Sequence, residues 1–196
     1  MTASRLQCAA LIRFAEQGFD ATTMNEIAGD VGIKKASIYA HFRNKDELFL
    51  SLIPIMIERE LTYIKKMITG GDQLKSQLYA YLESLDSRFM KSHDMQFWLR
   101  TIFAPPSHLY HESITPMHAF MDELESYVGE MIDASTLNHP DSALTTSTLT
   151  ATYMAMIDSL QTELLFGGHE KYEKRFRALW QVFDLVSQEA IPNLKG

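Results

Sequence analysis

Apolar residues return every three or four positions along almost the whole chain, with no stretch in the alternating rhythm of a half-buried strand. The pattern therefore predicts helices throughout. Leu6, Ala10 and Phe14 form the first stripe, and Gly18 closes it as a C-terminal glycine does. In TTMNEIAGDVG, Thr23 followed three residues later by Glu26 is a capping box opening a short helix, with Ile27 and Val31 turned inward. Gly32 supplies a turn, and a third short helix follows over about Lys35–Phe42, with Ile38 and Phe42 one turn apart. Asn44 caps a fourth helix, with Asp46 and Glu47 in its first turn, and the pattern continues it to about Ile68, before Gly70-Gly71. Pro54 falls inside that helix. It removes a hydrogen bond and crowds the carbonyl of Leu50, at a cost of about 3 kcal/mol unless the helix kinks.

Further helices fit Asp72–His93, Met95–Phe103, roughly Thr115–Asp133, Asp141–Phe166 and Glu170–Ala190. The breaks between them are APPSHLY (Ala104–Tyr110), NHP (Asn138–Pro140) and Gly167-Gly168. Three short helices, one long connector and about five longer helices make a two-part, all-α architecture with no internal repeat. The expected division is 1–49 and 50–196.

Composition narrows the class. Hydrophobic residues make up 46% of the 196 and charged residues 22%, as in ordinary globular proteins. The net charge of −7 is uneven: the first 50 residues balance, and the remainder carries the whole deficit, an asymmetry that suggests two jobs. A single cysteine, Cys8, excludes an internal disulfide and fits a reducing compartment. The N-terminal stretch is interrupted by Arg5, Arg13 and Glu16, unlike a secretory signal. The most apolar run, Leu48–Ile57, falls short of the ~20 residues that span a bilayer. The expected location is the cytoplasm, with no membrane partner.

Against that acidic background, VGIKKASIYAHFRNKDELF carries Lys34, Lys35, Arg43 and Lys45 with no acid before Asp46. Charge alone would suit a solvated face. The order of elements adds more: two short helices joined through a glycine turn form a helix-turn-helix, whose second helix enters the major groove while the first crosses the backbone. Lys34 and Lys35 then stand at the groove end and Lys45 at the start of the next helix, where phosphates pass.

The residues Gly18-Phe19, Thr22-Thr23, Ile27-Ala28, Gly32, Ser37-Ile38-Tyr39, His41-Phe42 and Asn44-Lys45-Asp46-Glu47-Leu48, in that order, resemble the DNA-binding domain of the tetracycline-repressor (TetR) family. The resemblance covers about Leu6 to Phe49. It implies that Thr23, Tyr39, His41 and Lys45 touch DNA phosphates or orient groups that do, with Lys34 as one more phosphate contact. It also implies that Asn25, Lys35, Ala36 and Ser37 face base edges. Lys35 suits guanine O6 and N7, and the Ala36 methyl suits a thymine methyl. Three residues depart from the family pattern: Lys34 stands where a capping Ser is usual, Ala36 where Gly is frequent, and Arg13 where an apolar residue usually turns inward. Arg5 is the only cation before the first helix is established, so no minor-groove arm is expected.

For the larger part, the resemblance implies a helical effector-binding and dimerisation domain. Trp98, Phe103 and Tyr110 flank the APPSHLY break and, with Met121, Tyr153 and Met154, are the candidate lining for an apolar or amphipathic effector. The alternative for each is ordinary core. Arg100 could meet an acidic ligand or a neighbouring carboxylate. Leu160, Leu164, Phe176, Trp180 and Phe183 on the last two helices are the candidate dimer interface, with packing inside one subunit as the alternative. His108, His111 and His118 lack metal-ligand spacing, no cofactor is implied, and no catalytic constellation is legible.

The expected function is a homodimeric transcriptional repressor on a palindromic DNA operator, released by a small molecule. The rivals are a helical-bundle enzyme acting on a phosphorylated substrate and a DNA-binding factor with no effector.

Overall fold

A computed structural model describes residues 2–135, 137 and 144–187, and among these every regular element is a helix. The order is α1 (Thr2–Ala21), α2 (Met24–Val31), α3 (Lys35–Ile38), α4 (Lys45–Leu50), α5 (Leu52–Met67), α6 (Leu74–Lys91), α7 (His93–Phe103), α8 (Tyr110–Asp133), α9 (Thr146–Phe166) and α10 (Gly168–Val186). The chain is thus all-α, with an N-terminal helix-turn-helix formed by α2 and α3. The expected break at Asn138–Pro140, the helix start at Asp141 and the helix end at Ala190 lie outside the described residues.

Several boundaries differ from those expected, for local physical reasons. Gly18 leaves helical geometry at φ 81°, yet the chain resumes a helical turn to Ala21. α3 stops at Ile38 rather than near Phe42: Ala40 and His41 donate to the carbonyls three residues back, tightening the chain into turns. The fourth helix is two helices, parted at Ser51. Pro54 has no N–H for the Leu50 carbonyl, so it sits in the first turn of α5, where a missing donor costs least. The Ser51 hydroxyl instead donates to Leu48 O at 2.7 Å and accepts from Gln7 Nε2 at 3.1 Å. α8 starts at Tyr110 rather than Thr115 and carries Pro116 inside it, where the ring has no N–H to offer the Glu112 carbonyl.

Two compact units result: residues up to Glu60 with Phe89–Phe120, and Leu61–Arg88 with the residues from Met121. The first unit extends past the helix-turn-helix because Phe97 of α7 completes an aromatic cluster with Phe14, Phe19 and Phe49. Phe49 meets Phe14, Phe19 and Phe97 edge-on, with centroids 5.3, 5.2 and 5.4 Å away. Such pairs add about 0.5–1.5 kcal/mol each to simple burial.

The second unit packs α9 against α10, with the carbonyls of α6 held by tyrosines. Tyr153 donates its hydroxyl to Leu78 O at 2.9 Å, and Tyr172 donates to Leu82 O one turn on. Burial pushes the Tyr153 phenol well above its ordinary range, so it remains a donor. No helix among the described residues is long and apolar enough to cross a membrane.

Candidate nucleic-acid interface

α2 is built by local sequence. Glu26 N–H donates to Thr23 Oγ1 at 3.2 Å and Thr23 N–H donates to Glu26 Oε2 at 2.8 Å, closing the capping box. At the other end Gly32 turns left-handed at φ 75°, and Ile33 N–H reaches back to Ala28 O at 2.9 Å. A Cβ at this φ would be strained, so the angle between α2 and α3 rests on glycine. Ile38 is fully buried and anchors α3, leaving Lys34, Lys35, Ala36, Ser37, Tyr39 and His41 on an exposed face. No side chain caps α3 at Lys34. Neither Lys34 nor Lys35 has an ion-pair partner among the described residues.

Beside this face lies an open depression of about 390 Å³ that gathers Thr23, Asn25, Lys35, Tyr39 and Lys45, with Asp20 at its edge and the cap residue Asn44. Polar side chains from the starts of α2 and α4 and from the α3 segment thus border one concavity.

Two expected phosphate contacts are engaged elsewhere. Lys45 Nζ donates to Phe19 O at 2.6 Å and Thr22 O at 2.9 Å, and it stands 4.1 Å from the centre of the Phe19 ring. One N–H remains for a phosphate; the other two tie α4 to the end of α1. Replacing Lys45 with Met keeps the stem and removes both bonds. The expected loss is about 1–2 kcal/mol, a charge-assisted hydrogen bond discounted for partial exposure. Urea unfolding checks it, and an unchanged midpoint would place the ammonium in solvent. Thr23 is similarly committed, since its hydroxyl also donates to Glu26 Oε2 at 2.8 Å. Its contribution is to orient α2.

Two arginines with structural roles were not legible as such. Arg13 crosses to α2 and grips both oxygens of Asp30 at 2.7 and 2.8 Å, which holds the Asp30 carboxyl below its ordinary range. Arg5 Nη2 donates to Val31 O at 3.0 Å and satisfies the C-terminus of α2. Both fix the helix-turn-helix onto α1. Arg43 is exposed and pairs with Glu47 at 3.2 Å, an i,i+4 pair of small worth. His108 of the connector after α7 approaches Asp46 Oδ1 at 3.1 Å and the Phe19 ring at 5.5 Å. His111 lies against Tyr110, and His118 is exposed.

The other candidate sets fare unevenly. Trp98 is buried edge-on to Phe120 at 4.7 Å, while Phe103 and Tyr110 are exposed. These three belong to the first unit; Met121, Tyr153 and Met154 belong to the second. Tyr153 is fully buried with its hydroxyl on Leu78, a core role that leaves no polar group for a ligand. Met154 is buried and Met121 half-buried.

Of the dimer candidates, Leu160, Leu164, Phe176 and Phe183 are buried within the chain itself, and Trp180 stacks edge-on to Tyr79 at 5.0 Å. Side chains already covered by their own subunit have little area to offer a second. The large apolar side chains that α9 and α10 do expose are Phe166, Val182 and Leu185.

The comparisons agree with this geometry. The family model described as "Bacterial regulatory proteins, tetR family" matches residues 8–52. The biofilm operon negative transcriptional regulator IcaR of Staphylococcus epidermidis is 29% identical over 85 residues, which is 42% of this chain and 46% of IcaR. YerO of Bacillus subtilis, an uncharacterized HTH-type transcriptional regulator, is 41% identical over 76 residues, 36% of this chain and 26% of YerO. This chain therefore spans less than half the length of these curated relatives. The fold of NalD, the secondary repressor of the MexAB-OprM multidrug efflux pump in Pseudomonas aeruginosa, superposes with a TM-score of 0.67 at 19% identity, over 94% of this chain and 96% of NalD. With the helix-turn-helix residues in family order, the capping box of α2 closed and an exposed second helix, residues 8–52 are similar to the tetR family of bacterial regulatory proteins.

Proposed function

We propose that this protein is a transcriptional repressor that binds a palindromic DNA operator as a homodimer and leaves it when a small apolar or amphipathic effector binds. Residues 1–49 act as the DNA-binding domain and 50–196 as the effector-binding and dimerisation domain. The observation that carries the reading is the exposed face of α3, with Lys34, Lys35, Ser37 and Tyr39 beside a concavity lined by donors from three helices. Base-edge reading falls to Asn25, Lys35, Ala36 and Ser37, and phosphate contact to Lys34, Tyr39, His41 and the remaining N–H of Lys45. Repression is supported by IcaR, a negative regulator, and NalD, a repressor. Trp98, Phe103 and Tyr110 remain the effector candidates in the first unit, and Met121 and Met154 in the second. A second copy would meet α9 and α10 through Phe166, Val182 and Leu185.

Selection of bound duplexes from a random library tests the whole proposal. The expected result is an inverted repeat whose half-sites lie one helical turn apart or a multiple of it. Tyr39→Ala should weaken its binding across sequences. Recovery of no preferred duplex, or of a lone half-site bound by a monomer, would overturn the reading.

A further inference from the structure

The geometry points to a small-molecule site distinct from the effector candidates: a cleft between α1, the start of α5 and the junction of α6 with α7 that takes an amphipathic carboxylate. The cleft holds about 510 Å³, inside the range of sites for small molecules. Its wall is apolar, built from Leu11 and Ile12 of α1 and Leu52 and Ile55 of α5. Ile12 is 40% exposed there, leaving hydrocarbon surface that a ligand's tail would cover.

The rim supplies the charge. Arg59, Lys91 and His93 line it with Asp94, and the Glu16 carboxylate stands behind His93. Arg59 Nη1 is 3.0 Å from Asp94 Oδ2, and His93 Nε2 is 3.2 Å from Glu16 Oε1. Lys91 has no ion-pair partner among the described residues and is exposed at the C-terminus of α6. An anionic head group at Lys91 completes this set. A neutral head group leaves the ammonium to water, and a cationic one is repelled. Apolar wall and unmatched cation together define a hydrocarbon chain ending in a carboxylate. None of these residues belongs to the effector candidates, so the site stands independently of how the operator is released.

The cleft carries its own reporter. Cys8, the one cysteine of the chain, lines it and is exposed. A tail lying on Leu11 and Ile12 covers the thiol. The test is the rate of Cys8 alkylation by N-ethylmaleimide in the full chain, followed by mass spectrometry, with decanoate, decanol or decyltrimethylammonium as probes and no DNA present. Decanoate below its micelle concentration slows alkylation saturably, decanol does so less, and the ammonium does not. Lys91→Gln raises the half-protecting decanoate concentration roughly three- to fivefold, the scale of a half-exposed ion pair. Ile12→Glu removes protection. Unslowed alkylation with decanoate, equal protection by the trimethylammonium, or protection indifferent to Lys91→Gln would each overturn the site. The wild-type arms decide the first two even if a variant fails to fold.

Discussion

Phe14→Ala lowers the unfolding free energy by about 3–5 kcal/mol, the cost of deleting a fully packed aromatic ring. Phe14 is 1% exposed and touches rings from three directions: Phe49 edge-on at 5.3 Å, Phe19 stacked at 5.7 Å and Phe97 at 6.4 Å. The cavity left behind would be lined by those same rings, which α1, α4 and α7 hold in place and which cannot all close inward. For a domain whose whole margin is about 5–15 kcal/mol, the loss is a large fraction. Urea unfolding at a fixed protein concentration, followed by the fluorescence of Trp98 and Trp180, measures it. A loss below about 1 kcal/mol would mean that the four rings are not packed as described.

The second large effect concerns reading of the duplex. Lys34→Ala removes one cation from the N-terminal end of α3, the end that the proposed docking turns to the phosphate backbone. It flattens the slope of log affinity against log salt by about 0.9, the release expected per neutralised phosphate. Lys35→Ala acts differently if the proposed docking holds, since that docking turns Lys35 to the base edges. It lowers affinity for the selected operator roughly five- to a hundredfold, the range of a lost base contact, and relaxes preference at one base pair of each half-site. Fluorescence anisotropy across a salt series, repeated on single-base variants of the operator, separates the two. If both substitutions change only the salt slope, α3 lies across the backbone rather than in the groove.

What could be read in the residues beforehand was local. The Thr23–Glu26 box spans three residues and Gly32 fixes its turn by φ alone, so α2 and its angle to α3 were legible. Asn44 as the cap of α4 was legible for the same reason, with Glu47 N–H on its side chain at 2.8 Å. Pro54 announced a break, but not that the chain would part three residues earlier at Ser51.

Contacts that join distant segments were not legible. Arg13 reaches Asp30, Lys45 reaches Phe19 and His108 reaches Asp46, and no periodicity links these positions. The stripes of α9 and α10 illustrate a second limit. Leu160, Phe176 and Phe183 mark a face that must be covered, and the pattern is the same whether a neighbouring helix or another subunit covers it.

The grip of Lys45 has a corollary for substitution. It seizes peptide oxygens, which every amino acid supplies, so these two bonds between α4 and the end of α1 do not depend on the identity of residues 19 and 22. A change at residue 19 would still forfeit the aromatic face beneath the cation and the ring packing on Phe14 and Phe49, and one at residue 22 the hydroxyl bond to Gly18 O. The tether itself asks nothing of those two side chains, because the ammonium finds the same carbonyls whatever residues carry them.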